Sequence, residues 1–297
     1  MMSFLNTLAG GFEINMSTAL ETRQPQAITS PKVSAWNGMA TGIYTLWLKH
    51  MRKFMGSGME IMGTLFTPIL WMLLFGLSMG SMVQNTSAMH FSISYEAYIT
   101  PGIMLMTGLT AAIIGGSTLL MERINGVVKE YLVAPIPRLS VLLGTMASGL
   151  TKSMIQAIIV VILGIFLGAT LVFNPLFILA GLVVVAAYSL GFVGLAAAVA
   201  SQAKSTESYH ALIMILNLPV LFLSNALYPL ETMPVILKQL AYLNPTVYAI
   251  DATRYLFYGA PTEIGLLIDL PVLVAFMVLG VWYGFHNFQK SVANPAS

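Results

Sequence analysis

The densest run of side chains able to do chemistry lies at residues 121–144. It holds Glu122, Arg123, Lys129, Glu130 and Arg138, in a chain of which only 8% is charged. Long uncharged stretches flank the run, so charges this dense must lie in water. Asn125-Gly126 is placed to break a preceding helix, and 127–133 then reads as a short amphipathic helix. Pro135 and Pro137 stop that helix and redirect the chain. A short charged helix of this kind suits contact with a soluble partner; a solvated loop is the plainer reading. A second pair, Asp251 and Arg254, stands three apart on a helical pattern, the spacing of an intrahelical salt bridge. That pair reads as a partly desolvated bridge, or as a gating or substrate contact. The four histidines, His50, His90, His210 and His286, are scattered and read as structural or interfacial. There is no His-Glu-x-x-His and no Gly-x-x-x-x-Gly-Lys, so this chain has no phosphate loop for ATP. It has no cysteine, which excludes disulfides and thiolate metal sites.

The elements that position these groups are membrane-length. The chain has 297 residues, is 57% hydrophobic and has a mean hydropathy of +0.83. Soluble domains are about a quarter charged. Stretches 61–95, 97–121, 153–203 and 208–230 contain no Asp, Glu, Lys or Arg, and runs of about 18 or more such residues read as transmembrane helices. The expected fold is an all-α membrane protein with six transmembrane helices, at about 59–83, 98–121, 153–172, 176–200, 211–228 and 264–286. Asn174-Pro175 divides the longest uncharged stretch, and a helical lead-in from Leu139 precedes the third span. Pro68 and Pro219 read as kinks or hinges. Gly76-x-x-x-Gly80 and Gly164-x-x-x-Gly168 allow close helix approach.

Three further elements stand outside the spans. Residues 41–55 place Ile43, Leu46, Trp47, His50, Met51 and Phe54 on one helical face and Lys49, Arg52 and Lys53 on the other. This suits an interfacial helix or a basic extension of the first span. Residues 228–262 hold two short helical patterns, about 233–243 and 244–259. The second has Asn244 and Pro245 at its start and Gly259 past its end. Both are too short to cross a bilayer and too apolar for water, so an outer re-entrant hairpin is expected. Residues 1–40 read as an N-terminal tail, 41–290 as the transmembrane domain and 291–297 as a C-terminal tail.

Six spans place both termini on one side. Eleven Lys and Arg fall on that side, and only Lys238 and Arg254 on the other. The bias makes the termini and the charged run cytoplasmic and the hairpin external. Net charge is only +2, which gives no pull toward nucleic acid. Only Glu60, Lys152 and Asp269 approach the spans, each near an expected end, which is too few for a proton- or sodium-coupled carrier.

Glu122, Arg123, Gly126, Glu130, Leu132, Pro135, Arg138 and Gly144 resemble the cytoplasmic motif of type-2 ABC exporter permeases. The run from Asn244 through Pro245, Tyr248 and Asp251 to Arg254 is similar to that family's second signature, with Tyr228-Pro229-Leu230 upstream. The nearest branch is the daunorubicin-resistance and nodulation-export permeases. The resemblance covers residues 40–290. Tyr131-Leu132 stands where the family has Leu-Leu, and Pro137 is an added proline. The resemblance implies a non-enzymatic subunit of a prokaryotic inner-membrane exporter for amphipathic drug-like or lipid-like substrates. It implies two permease copies, as a homo- or heterodimer, and a separate cytoplasmic ATPase that holds the ATP and Mg; no cofactor or metal belongs to this chain. Glu122, Arg123, Gly126, Glu130, Pro135 and Arg138 would couple to that ATPase, with Trp47, Lys49, Arg52 and Lys53 on the interfacial helix beside it. Asn244, Pro245, Tyr248, Asp251 and Arg254 would form the outer gate. Export of polysaccharide or lipid-linked glycan is a second reading within the family. A membrane-embedded enzyme or assembly factor without an ATPase is the reading from another class.

Overall fold

The computed structural model of the protein describes residues 35–78, 93–133 and 137–293, and its regular elements there are all helical. Helix α1 is Ala35–Gly56. Helix α2, Gly58–Trp71, starts at Ser57, whose side chain accepts the Glu60 N–H, and carries Pro68. Four residues after that proline it widens into a π turn, Met72–Leu77. Helix α3 is Tyr95–Ile124, α4 Val127–Val133, α5 Leu139–Phe166 and α6 Pro175–Gln202. Helix α7 is Thr206–Phe222. A 3₁₀ turn, Leu230–Thr232, leads to α8, Val235–Ala241, and α9, Pro245–Tyr258. Helix α10 is Leu266–Ala293.

Among the described residues, five helices are long and apolar enough to cross a membrane: α2 with its π turn, α3, α5, α6 and α10. At 17 residues, α7 spans ~26 Å, just short of a hydrocarbon core of ~30 Å.

Several expected boundaries shift, each for a local reason. The third span and its lead-in are one unbroken helix, α5, that ends at Phe166 where Gly168 turns the chain at φ 109°. Lys152 therefore lies in the middle of a helix, not near an end. The helix at the expected fifth span, α7, stops at Phe222, not 228, because Leu223 leaves the helix. There Asn244 Nδ2 donates to the Val220 and Leu223 carbonyls at 2.7 and 2.8 Å. This is C-capping by a residue whose own Oδ1 N-caps α9 at Thr246 N. The end of the first span, most of the N-terminal tail, Gly80, His90 and Pro135 lie outside the described residues.

The closest helix contact is between α6 and α10. A Cβ on Gly194 would stand 2.3 Å from the Gly280 carbonyl oxygen, and one on Gly280 2.3 Å from that of Gly191. A Cβ on Gly284 would stand 2.5 Å from the Gly194 oxygen. The two backbones touch, and only glycine permits that. Of the glycine pairs picked out in the sequence, Gly164 does lie tightly against Thr100 of α3, whereas Gly76 meets only side-chain tips at 3.8 Å or more. Tyr188, Phe192 and Phe276 pack as tilted rings beside the seam.

Candidate functional site

Helix α3 delivers the first charged pair. Asn125 ends the helix and Gly126 turns at φ 77°, a left-handed conformation that suits glycine. The break sends α4 off in a new direction, as the Asn-Gly pair predicts. Glu122 does not face solvent: its side chain is 12% exposed. Its Oε1 accepts from Lys49 Nζ at 2.6 Å and lies 3.1 Å from His50 Nε2. Tyr131 of α4 donates to the same oxygen at 3.3 Å and also meets Lys49. Burial acts to lower the Lys49 pKa, but the bonds to Glu122 and Tyr131 outweigh it and hold the ammonium above the usual lysine value. Glu122 thus fastens α1, α3 and α4 together.

Arg123 points the other way. Its guanidinium donates to the carbonyls of Ser201 and Ala203, at the end of α6. It also reaches Ser291 Oγ, near the end of α10, at 3.2 Å. One side chain ties the ends of α3, α6 and α10. Glu130 and Arg138, by contrast, are exposed.

Helix α1 has the two faces read from its sequence. Arg52 and Lys53 are exposed, while Leu46, His50, Met51 and Phe54 are buried. The apolar face does not lie open to lipid: it is covered by α5. A Cβ at Gly144 would stand 2.7 Å from Leu46 Cβ, and Trp47 Nε1 donates to Thr151 at 3.0 Å. His50 is structural, bridging Glu122 and Ser148. Glu60 of α2 pairs with Lys152 of α5 at 2.7 Å, an ion pair that no sequence spacing announces.

The opposite end of the bundle holds the second cluster. Asp251 and Arg254 do not form the expected intrahelical bridge. Arg254, 2% exposed, stacks 3.6 Å over the Tyr98 ring and pairs with Glu263 at 3.0 Å. It also donates to the Asn225 carbonyl at 2.6 Å. Asp251 instead accepts the backbone N–H groups of Glu263 and Ile264, at 2.8 and 2.9 Å, which start the turn into α10. Those donors, otherwise unpaired, outcompete a side chain that α9 already turns elsewhere. Glu263 Oε2 accepts from Leu230 N at 3.0 Å, so it also holds the 3₁₀ turn. Sequence reasoning missed Glu263; a lone acid in an otherwise uncharged connector was its only signal. Tyr248 donates to the Tyr242 carbonyl, closing α8 onto α9. Asp269 is enclosed beside Asp251, and no N–H or O–H among the described residues reaches its oxygens.

Between these ends, α2, α3 and α7 enclose a cavity of about 260 Å³. Thr64, Thr67, Thr107, Thr110 and Asn217 line it among Trp71, Met106 and Leu221. Helix α7 otherwise shows apolar side chains on its outer surface, with only Tyr209 buried.

Charged groups clamped at one end of a bundle of membrane-length apolar helices, and a closed polar cluster at the other, define a multi-pass membrane protein. The model of the ABC-2 type transporter family matches residues 41–258. The chain belongs to that family and is a transporter's membrane subunit, a type-2 ABC permease. It is 34% identical over 201 residues to "Putative transport permease ycf38" of Porphyra purpurea, covering 66% of this chain and 67% of that protein. To "Inner membrane transport permease YadH" of Escherichia coli K12 it is 27% identical over 236 residues, 79% of this chain and 89% of the other. "Nodulation protein J" of Rhizobium leguminosarum bv. viciae is 27% identical over 222 residues, 74% and 83% of the two chains.

Proposed function

We propose that this chain is the membrane half of an ATP-driven exporter in a prokaryotic inner membrane, with six spans and both termini cytoplasmic. In this reading α7 is the fifth span, lengthened by the Leu223–Tyr228 turn. A separate ATPase chain, which holds ATP and Mg, docks on the exposed face of α4 and the start of α5, where Glu130 and Arg138 stand in water. The single observation that carries the reading is the division of labour within the charged run. Two of its charges are spent on internal ties to α1, α6 and α10, and two are left outward. A push on the outer face is thereby delivered to helices that run the length of the bundle.

The cavity among α2, α3 and α7 supports an amphipathic substrate, because hydroxyls and one amide alternate there with aromatic and aliphatic surface. The apolar outside of α7 suits a second permease copy, so that two such cavities face each other. The buried Arg254–Glu263 cluster closes the outer end, and Asn244 with Pro245 fixes the hairpin to α7.

The test is Glu130→Lys and Arg138→Glu, each made in the complex with its ATPase. Both variants insert and fold, ATP hydrolysis continues, and export falls at least tenfold. Export at the wild-type rate by both variants would overturn the docking assignment.

A further inference from the structure

A second, smaller cavity of about 80 Å³ lies where α1, α2, α3 and α5 meet, away from the α7 cleft. His50, Lys53, Glu60, Thr118, Ser148 and Lys152 line it. Gly115 leaves its floor bare: a Cβ there would meet nothing nearer than the Gly149 Cα, at 4.0 Å. Two ammonium groups and one carboxylate face the space, leaving one net positive charge. The His50 ring is already engaged by Glu122 and Ser148.

Lys152 decides what this space can hold. It is 7% exposed, gives one bond to Glu60 and lies 4.7 Å over the Phe54 ring. An ammonium has three donors, and one carboxylate oxygen at 2.7 Å satisfies one of them. Lys53, on the rim, has no ion pair among the described residues. The Ser148 and Thr118 hydroxyls donate to carbonyls of their own helices and can rotate outward. This donor-rich set faces a space several times that needed for one water, ~10–15 Å³ on the same measure.

Depth narrows the ligand further. Thr118 precedes the charged end of α3 at Ile124 by six residues, about 9 Å along the axis. With Ile124 at the aqueous edge, as the proposed topology has it, this depth is close to where headgroups meet hydrocarbon. Beside Glu60, α2 turns Met59 and Met62 outward, with 86% and 71% of their surface exposed. An apolar tail leaving the cavity would run along these methionines.

We propose that this cavity binds a phosphate group, held by Lys152 and Lys53, with Glu60 fixing the Lys152 ammonium in place. A phospholipid headgroup and a free phosphate share this chemistry. The site is separate from the cavity proposed for the transported substrate, and its readouts do not depend on transport.

The experiment is native mass spectrometry of the full chain in detergent micelles, titrated with dioleoylphosphatidic acid, dioleoylglycerol or inorganic phosphate. The wild type retains one phosphatidic acid and no dioleoylglycerol. In Glu60→Gln/Lys152→Gln, which keeps a neutral hydrogen-bonding pair, half-saturation moves up at least tenfold. Lys53→Gln, a rim change that leaves the buried pair intact, moves it up at least threefold and carries the test if the double variant does not fold. Phosphate alone saturating the site and displacing phosphatidic acid assigns it to a soluble phosphate; failure of phosphate to compete assigns it to lipid. Equal retention of phosphatidic acid by the wild type and the variants, or retention of dioleoylglycerol as well, overturns the proposal.

Discussion

Replacing Glu263 with alanine tests the outer cluster most severely. Arg254 sits at 2% exposure with its charge balanced by one carboxylate at 3.0 Å. Removing one partner of a buried ion pair costs ~3–5 kcal/mol, because the other charge stays behind unpaired. The Glu263 side chain is 20% exposed, so water can enter and the lower end, ~3 kcal/mol, applies. The Leu230 N–H loses its acceptor as well, adding ~1 kcal/mol. The expected loss is therefore ~4 kcal/mol, near a thousandfold in the folding equilibrium. Glu263→Gln keeps an acceptor for Leu230 and is expected to lose about half as much. Arg254→Met/Glu263→Leu removes both charges and should be milder than the sum of the single changes. Reversible unfolding in mixed detergent micelles, followed by circular dichroism while the denaturing detergent is increased, measures these three together with the single changes Arg254→Met and Glu263→Leu. A loss under ~1 kcal/mol for Glu263→Ala would refute the reasoning. So would a double variant as unstable as the two singles combined, since the pair would then not be a coupled unit.

Asp269→Asn is expected to stabilise the chain by ~1–2 kcal/mol, since an amide donates to the neighbouring Asp251 without having to take up a proton, as the carboxyl must; a lower unfolding midpoint in the same assay would count against it. Gly280→Ala drives a methyl group into the Gly191 carbonyl and should cost at least ~3 kcal/mol or abolish folded expression. Gly56→Ala, with open space around it, serves as the neutral comparison, and equal behaviour of the two glycine variants would remove the backbone contact as an explanation.

Helix type, the Asn125-Gly126 break, the Asn244 and Gly259 caps and the two faces of α1 were all legible in the sequence. Each depends on residues adjacent in the chain or one helical turn apart, and local rules act at that range. Partner choice was not legible in the same way. Asp251 and Arg254 have ideal helical spacing yet turn to Glu263 and the start of α10, because unpaired backbone N–H groups lie there. Lys152 and Glu60 stand far apart in sequence, so their pairing depends on how α2 and α5 pack. Glu122 and Arg123 were singled out for docking, yet both point into the bundle, whereas Glu130 and Arg138 face outward. Half of the glycine seam was also within reach: Gly280-x-x-x-Gly284 carries the same small-residue signal as the pairs that were singled out, while Gly191 and Gly194 stand three apart. What the sequence lacks is the pairing of one segment with the other.

The seam between α6 and α10 also bears on how the molecule is made. Synthesis releases α6 well before α10, with α7, α8 and α9 in between. Until the last helix arrives, the groove over Gly191 and Gly194 has nothing to fill it except lipid tails, and no lipid can match a bare backbone laid against it. The tie from Arg123 to Ser291 waits on the same event. Assembly is therefore completed from the chain's far end, and a ribosome that stalls before α10 leaves an inserted bundle with its tightest joint open.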